Sequence, residues 1–290
     1  MLDFLDIYLL EALINGVLLG GVLGLLALGL NLIFGVIDVV WICYAELIML
    51  GMYAMYYLYI VYHLPFVLAA LIAIGIVGAL GVALHVVVIQ PLLNAAPINQ
   101  LLATGGVLAF LQSAATIVFG IDFKNLGIRL PVLEVSEMYV SYSRLLAFCV
   151  ALAGMVALYL FLSRTYIGTA IRAIAQDRQI MPLMGVDSRK IYMTTSAVGG
   201  GLAGLAASLL VLQYDVHPFI GLTFGPITFM ICVMGGLGNM IGGFVAAFLF
   251  AEIISVGGLW LDLEWGYVFA FVFFIAMMFF RPQGLMARRS

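Results

Sequence analysis

"FVLAALIAIGIVGALGVALHVVVIQ", residues 66–90, decides the fold. It holds one ionisable side chain, His85, and no proline. An unbroken apolar run of about 20 residues is what an α-helix needs to cross a bilayer core. The next stretch, "QPLLNAAPINQ" (90–100), stops it, with Pro91 and Pro97 bracketing a short loop. "HLP" (63–65) precedes it as a break. Working outward, similar runs lie at about 8–35, 44–62, 98–120, 143–163, 192–213, 223–237, 239–258 and 266–280.

The composition agrees. Of 290 residues, 66% are hydrophobic and 9% charged, with mean hydropathy +1.25. A soluble domain is about 45–50% apolar and about 25% charged. Backbone groups in lipid must be satisfied within their own segment, which favours helices. A barrel would need short alternating strands instead of long continuous runs. The expected fold is an all-α polytopic transmembrane helical bundle of about 8–9 membrane segments, some broken or re-entrant, over a single domain, 1–290. The first run is long and glycine-rich enough to be broken. Residues 1–11 lack the basic region of a signal peptide, so that run is expected to remain as a span.

Other function classes fall away. The 11 Lys and Arg form no basic face for nucleic acid, and the formal net charge is −3. Cys43, Cys149 and Cys232 are scattered, with no CxxC or Cys/His cluster for a metal. Neither lysine, Lys124 or Lys190, follows the glycines of a GxxxxGK[ST] phosphate loop. HExxH and GxSxG are absent too. The chain reads as a non-enzymatic pore-former whose energy comes from another chain or an ion gradient.

Basic residues set the direction. Arg164, Arg172, Arg178, Arg189 and Lys190 lie in 164–190, and Arg281, Arg288 and Arg289 at the C-terminus, so both regions are expected in the cytoplasm. The polar connector at about 121–142, with Lys124, Arg129, Glu134 and Glu137 and with Arg144 at its end, is then extracytoplasmic. Counting spans backwards puts the N-terminus outside.

Ionisable groups in a bilayer core are costly and need a reason. Asp38 and Glu46 flank "DVVWICYAE" (38–46) with Trp41 and Tyr44. Two readings stand: an interfacial loop with aromatics at headgroup level, or a broken segment dipping toward a translocation path. Asn31 is a neutral companion. His85 reads as a packed, hydrogen-bonded residue. Glu252, inside "FLFAEIISVGG" (248–258), is either a helix–helix hydrogen bond or a path residue. "MGGLGNMIGG" (234–243) has five glycines in ten residues, including Gly235, Gly236 and Gly238. They either pack helices closely or mark unwound backbone at a cavity.

The stretch "IRAIAQDRQIMPLMGVDSRK" (171–190) gathers six charges in twenty residues. Ala170, Ile171, Ile174 and Ala175, then Met181 and Met184, recur near helical spacing. Asp177 suits the cap of a second short helix, Pro182 a bend, Gly185 a left-handed stop, and Asp187 or Ser188 the next N-cap. It is either a solvated loop obeying the positive-inside bias or a docking element for a soluble partner.

The segment resembles the coupling segment of ATP-binding cassette importers in Arg172, Ala173, Asp177 and Arg178, with Gly185 eight positions after the acid. "ALGLNLIFGV" (27–36), Glu46 and "MLGMY" (49–53) resemble the N-terminal signature of the branched-chain amino acid permease family. "GGLGNMIGGFVAAFLFAE" (235–252) and "RPQGL" (281–285) resemble its C-terminal signature. The similarity runs over nearly the whole chain and is greatest to the smaller permease subunit. It implies an importer subunit in the bacterial inner membrane that moves branched-chain amino acids, or a related amide, urea or aromatic acid, by alternating access. Its partners would be a second homologous permease subunit, two ATPase subunits that bind ATP and magnesium, and an extracytoplasmic solute-binding protein. Trp41, Ile42, Cys43, Tyr44 and Ala45 stand where the family usually has Asn, Phe, Ala, His and Gly, so a path there would be narrower and more apolar. The rival reading is a proton-coupled secondary transporter, which predicts an inverted repeat and paired midplane acids.

Overall fold

The computed structural model describes residues 2–128, 131–135, 138–178, 184–260 and 263–286. Helix α1 (Leu2–Ile37) is followed by α2 (Tyr44–Tyr56), which continues as a π-helical turn, Tyr57–Val61. Helix α3 (Phe66–Leu84) continues through a second π-turn, His85–Ile89, into the single turn α4 (Gln90–Leu92). Then come α5 (Pro97–Phe119), strands β1 (Val132–Val135) and β2 (Met138–Ser141), and α6 (Tyr142–Arg164). The chain closes with α7 (Tyr166–Ile174), α8 (Ser188–Leu210), α9 (Ile220–Gly235), α10 (Met240–Trp260) and α11 (Leu263–Phe280). Among the described residues, 7 helices are long and apolar enough to cross a membrane, and α9 and α11 are shorter apolar helices. Every apolar run read from the sequence is a helix at nearly the expected place.

The first run is not broken: α1 is one continuous helix. Its glycines instead admit the neighbouring helix. A β-carbon on Gly16 would sit 2.6 Å from a carboxylate oxygen of Glu252, and one on Gly20 2.9 Å from the Phe248 ring. Farther along, Gly35 lies against Gly238. Residue numbers rise on α1 as they fall on α10, so the two helices run antiparallel along a seam of small residues, as membrane helices do when van der Waals packing drives association. A second seam joins α3 and α8, with Gly200 against the Val77 carbonyl and Gly204 against Ile74. Leu25, Leu26, Ala27 and Ile33 of α1 are fully enclosed, so α1 is the axis of the bundle. Helix α5 lies at the rim, with Phe110 and Ile117 exposed, as suits an apolar solvent.

The connector expected as a polar loop contains an antiparallel hairpin, registered from Val132↔Ser141 to Val135↔Met138. Outside the hydrocarbon, water satisfies the strand edges. An isolated bridge pairs Lys124 with Val216, and the Asn125 amide donates to Asp215 at 2.6 Å. This end of the bundle therefore joins 121–142 to the loop at 211–219. The opposite end joins the last turn of α1, the glycine turn after α9 and the terminal segment, where the Leu285 N–H donates to the Met234 carbonyl at 2.8 Å. Arg129, Gln179, Met181, Pro182, Arg288 and Arg289 lie outside the described residues.

Candidate functional site

The chain leaves α1 at Asp38 in the left-handed region, φ +57°. A short polar side chain tolerates that conformation far better than a β-branched one. Residues 38–43 are irregular, yet Val39, Trp41 and Cys43 are buried. The segment is thus irregular backbone packed largely within the bundle. Irregular backbone at membrane depth survives only where protein satisfies it. Here the Thr104 hydroxyl, from α5, donates to the Val40 carbonyl at 3.0 Å. The Trp41 carbonyl accepts from the Tyr44 N–H at 3.3 Å, and the Cys43 carbonyl accepts from the Glu46 N–H at 3.1 Å. The Trp41 indole N–H donates to the Cys43 sulfur at 2.8 Å.

Tyr44 opens α2 and donates its hydroxyl to the Gly199 carbonyl, midway along α8, at 3.1 Å. Gly29 of α1 presses on the same hydroxyl and leaves no room for a β-carbon. Two residues on, Glu46 is 0% exposed and neither carboxylate oxygen has a hydrogen-bond partner among the described residues. Its carboxyl lies against the first turn of α9, where a β-carbon on Gly221 would be 2.7 Å from Oε1. Trp41, Tyr44 and Glu46 thus lie on one short buried stretch that packs against α5, α8 and α9.

Two residues grouped with them in the sequence reading lie elsewhere. Asn31 faces α10. Its side-chain oxygen accepts from the Gly238 N–H at 3.3 Å and its amide donates to the Asn239 carbonyl at 3.5 Å. It ties α1 to the turn at 236–239, where Gly236 and Gly238 have φ of +99° and +76°. Only glycine takes both values without strain. Gly235, just before, packs backbone to backbone on Gly242 and Gly243, so this glycine cluster both turns the chain and closes a helix contact. Glu252 sits beside Gly16, fifteen residues from Asn31 along α1 and so about 22 Å away. It belongs to the α1–α10 seam. His85 is fully buried beside Tyr192, and neither ring nitrogen has a hydrogen-bond partner among the described residues. The hydrogen bonding expected of it is not there.

The charged segment begins with α7. Thr165 caps it, accepting from the Gly168 N–H at 3.0 Å. Gly168, Ala170, Ile171 and Ile174 face inward, while Tyr166, Ile167 and Arg172 face out. Ala175, expected on the apolar face, is exposed. The Ala173 carbonyl closes the helix by accepting from the Gln176 and Asp177 N–H groups. Gly185 is left-handed at φ +80°, and Asp187 caps α8 by accepting from the Arg189 N–H at 3.1 Å and the Lys190 N–H at 3.4 Å. The Lys190 N–H, first of all, holds the Asp187 carboxyl below the usual carboxylate range. Arg178 pairs with Asp38 at 3.5 Å. The charged segment thus touches the first residue of the buried irregular stretch.

Thr104, Gly199, Gly221 and the Asp38–Arg178 pair were not singled out as members of this site. A lone hydroxyl or glycine in an apolar helix gives no signal until the partner helix is known. The stretch offers a carboxylate, a phenol and an indole in an apolar setting, with no nucleophile–base pair.

A model of the family described as "Branched-chain amino acid transport system / permease component" matches residues 12–278. The high-affinity branched-chain amino acid transport system permease protein BraD of Pseudomonas aeruginosa is 30% identical over 294 residues, covering 96% of each chain. The corresponding permease protein LivH of Escherichia coli K12 is 25% identical over 301 residues, covering 97% of this chain and 96% of that one. Among solved structures, PsaBC from Streptococcus pneumoniae in complex with Fab aligns with TM-score 0.50 and 15% identity, over 95% of this chain and 92% of that one. That likeness concerns the fold alone.

Proposed function

The chain belongs to the branched-chain amino acid transport permease family, as a multi-pass inner-membrane protein, and from that premise we propose that it is a permease subunit of an ATP-binding cassette importer for branched-chain amino acids or a related small solute, working by alternating access. The observation that carries this reading is the Arg178–Asp38 pair. It joins the charged segment at 164–190 to the head of the buried stretch that carries Trp41, Tyr44 and Glu46. A motor gripping α7 would move that stretch directly. The end holding Asp38, Arg178 and Leu285 faces the cytoplasm, where the positive-inside bias puts it.

One of two ATPase subunits docks on the segment at 164–190, at Arg172, Ala173, Asp177, Arg178 and Gly185, the other on the second permease subunit, and together they supply the ATP and magnesium chemistry. A second permease subunit completes the membrane unit. A solute-binding protein docks on the opposite end, at about 121–142, 214–222 and 259–265. Partners must bind the two states with different affinity for the cycle to turn. Glu46, buried and unpartnered, meets the cargo's cationic group during passage, and Trp41 and Tyr44 form the apolar wall. The test is co-purification with the two ATPase subunits, read with the residues at 166–185 intact and replaced by a Gly/Ser linker. Co-purification and ATPase stimulation that both survive the replacement would remove the docking role.

A further inference from the structure

Lys124 is enclosed by aromatic rings at the outer end of α2. Its ammonium lies 5.1 Å from the Tyr57 ring centroid, 5.5 Å from Tyr56, 5.7 Å from Tyr53 and 6.0 Å from Phe119. It also donates to the Tyr57 hydroxyl at 3.1 Å. The cage is built: Tyr53 and Phe119 stack at 4.2 Å and 16°, Tyr57 tilts on Phe119 at 5.4 Å, and Tyr56 meets Tyr57 edge-on at 5.6 Å. The π-turn that starts at Tyr57 lets two consecutive tyrosines line one cation. Rings arranged in this way recognise ammonium groups in general.

Two further observations make the cage more than a resting place for a lysine. First, Lys124 sits where two outer loops are joined. Its backbone pairs with Val216 through bonds of 2.9 and 2.7 Å, and the Asn125 amide donates to Asp215 next door. The two outer loops are thus clasped to each other at Lys124. Second, Tyr53 of the cage lies on the stripe of α2 that carries Glu46. Tyr53 is seven residues from Glu46, which is two helical turns on one face, or about 10 Å. The Tyr53 hydroxyl and both Glu46 oxygens are buried without hydrogen-bond partners among the described residues.

We propose that the Tyr53–Tyr56–Tyr57–Phe119 cage is an entry subsite for the primary ammonium group of an amino-acid cargo, and that Lys124 occupies it as a tethered stand-in when no cargo is being loaded. Lifting the clasped loops withdraws Lys124 and frees the cage. The cargo's ammonium takes its place and then passes two turns down α2 to the Glu46 carboxylate. No covalent step is involved. This rests on the reading of the chain as an amino-acid importer, but the cage can be tested separately from transport.

The experiment uses the full transporter in lipid nanodiscs and measures binding of 3-methylbutylammonium against its neutral analogue 3-methylbutan-1-ol. Wild type, with the cage filled, binds neither selectively. Lys124→Ala and Lys124→Met, the second keeping the side-chain length, should prefer the amine by about tenfold. Lys124→Arg should stay closed, and adding Tyr53→Leu to Lys124→Met should erase the preference. Equal binding of amine and alcohol by both uncharged variants overturns the cage, as does a preference that survives Tyr53→Leu. A parallel arm measures ATP-driven leucine uptake by the wild type. Failure there overturns the importer reading and leaves the binding result standing.

Discussion

Gly235→Ala puts a methyl group where α9 and α10 touch backbone to backbone. Its β-carbon would lie 2.6 Å from the Gly242 carbonyl oxygen and 2.5 Å from that carbonyl carbon. Ordinary contact begins at 3.4 Å, so the helices must part by about 0.9 Å at this point. Neither neighbour is a flexible side-chain tip, and the gap cannot be absorbed by a rotamer change. The separation is felt at Asn31, whose bonds to Gly238 and Asn239 already measure 3.3 and 3.5 Å and would pass out of range. Overpacking of a tight contact costs about 1–3 kcal/mol, and the lost Asn31 bonds add about 1 kcal/mol. Gly75→Ala is the control. It lies in α3 with nothing within 4 Å of the new carbon, and alanine in a helix is favoured over glycine by about 0.5–1 kcal/mol. The assay is the thermal midpoint of the purified protein in detergent, followed by size-exclusion chromatography. Gly235→Ala should fall clearly below wild type and Gly75→Ala should equal or exceed it. A wild-type midpoint for Gly235→Ala would refute the close contact.

Glu46→Leu removes a buried carboxylate with no partner, worth about 1–3 kcal/mol of desolvation, so the variant should melt higher while importing poorly; uptake at the wild-type rate would remove Glu46 from the path. Arg178→Asp should uncouple ATP hydrolysis from transport, and Arg178→Asp with Asp38→Arg should restore part of the coupling. Both side chains are partly solvated and an exposed pair contributes only about 0.2–1 kcal/mol, so thermal stability should hardly move, and a large loss would mean the pair is structural. The Asp187 cap should be acid-sensitive. Its folded carboxyl titrates below the ordinary value of about 3.9, so its contribution is present above that value and is lost as pH falls through the folded one. Amide exchange at Arg189 and Lys190 should stay protected at pH 5 and accelerate in stronger acid. Asp187→Ser should abolish that acceleration, and an unchanged profile would discount the cap.

Much of the fold was legible because the bilayer imposes one rule on every span: a long apolar run, ended by Pro, charge or turn residues. The stop at Pro91–Pro97, the left-handed Gly185 and the Asp187 cap were readable for the same reason, since each is a local backbone requirement. What escaped the sequence depends on partners far along the chain. The glycines of α1 look like breakers until α10 is set against them. The hairpin at 132–141 is masked by its polar flanks. Arg178 and Asp38 are separated by nearly half of the chain, and no periodicity pairs them. Glu252 and Glu46, both membrane acids in the sequence, are likewise placed apart by distant partners: one faces the α1–α10 seam and the other the first turn of α9. Lys124 was read as a topology marker, because its aromatic surroundings come from α2 and α5 and not from its own loop.

The account's central claim is that motion enters this bundle from the segment at 164–190, driven by nucleotide. The most direct measurement is uptake into proteoliposomes holding the complete transporter, with ATP on the face bearing Arg178 and every ion gradient collapsed. The account predicts accumulation that requires ATP there and vanishes when 166–185 is replaced. Accumulation that ignores ATP and follows an imposed proton gradient would contradict it.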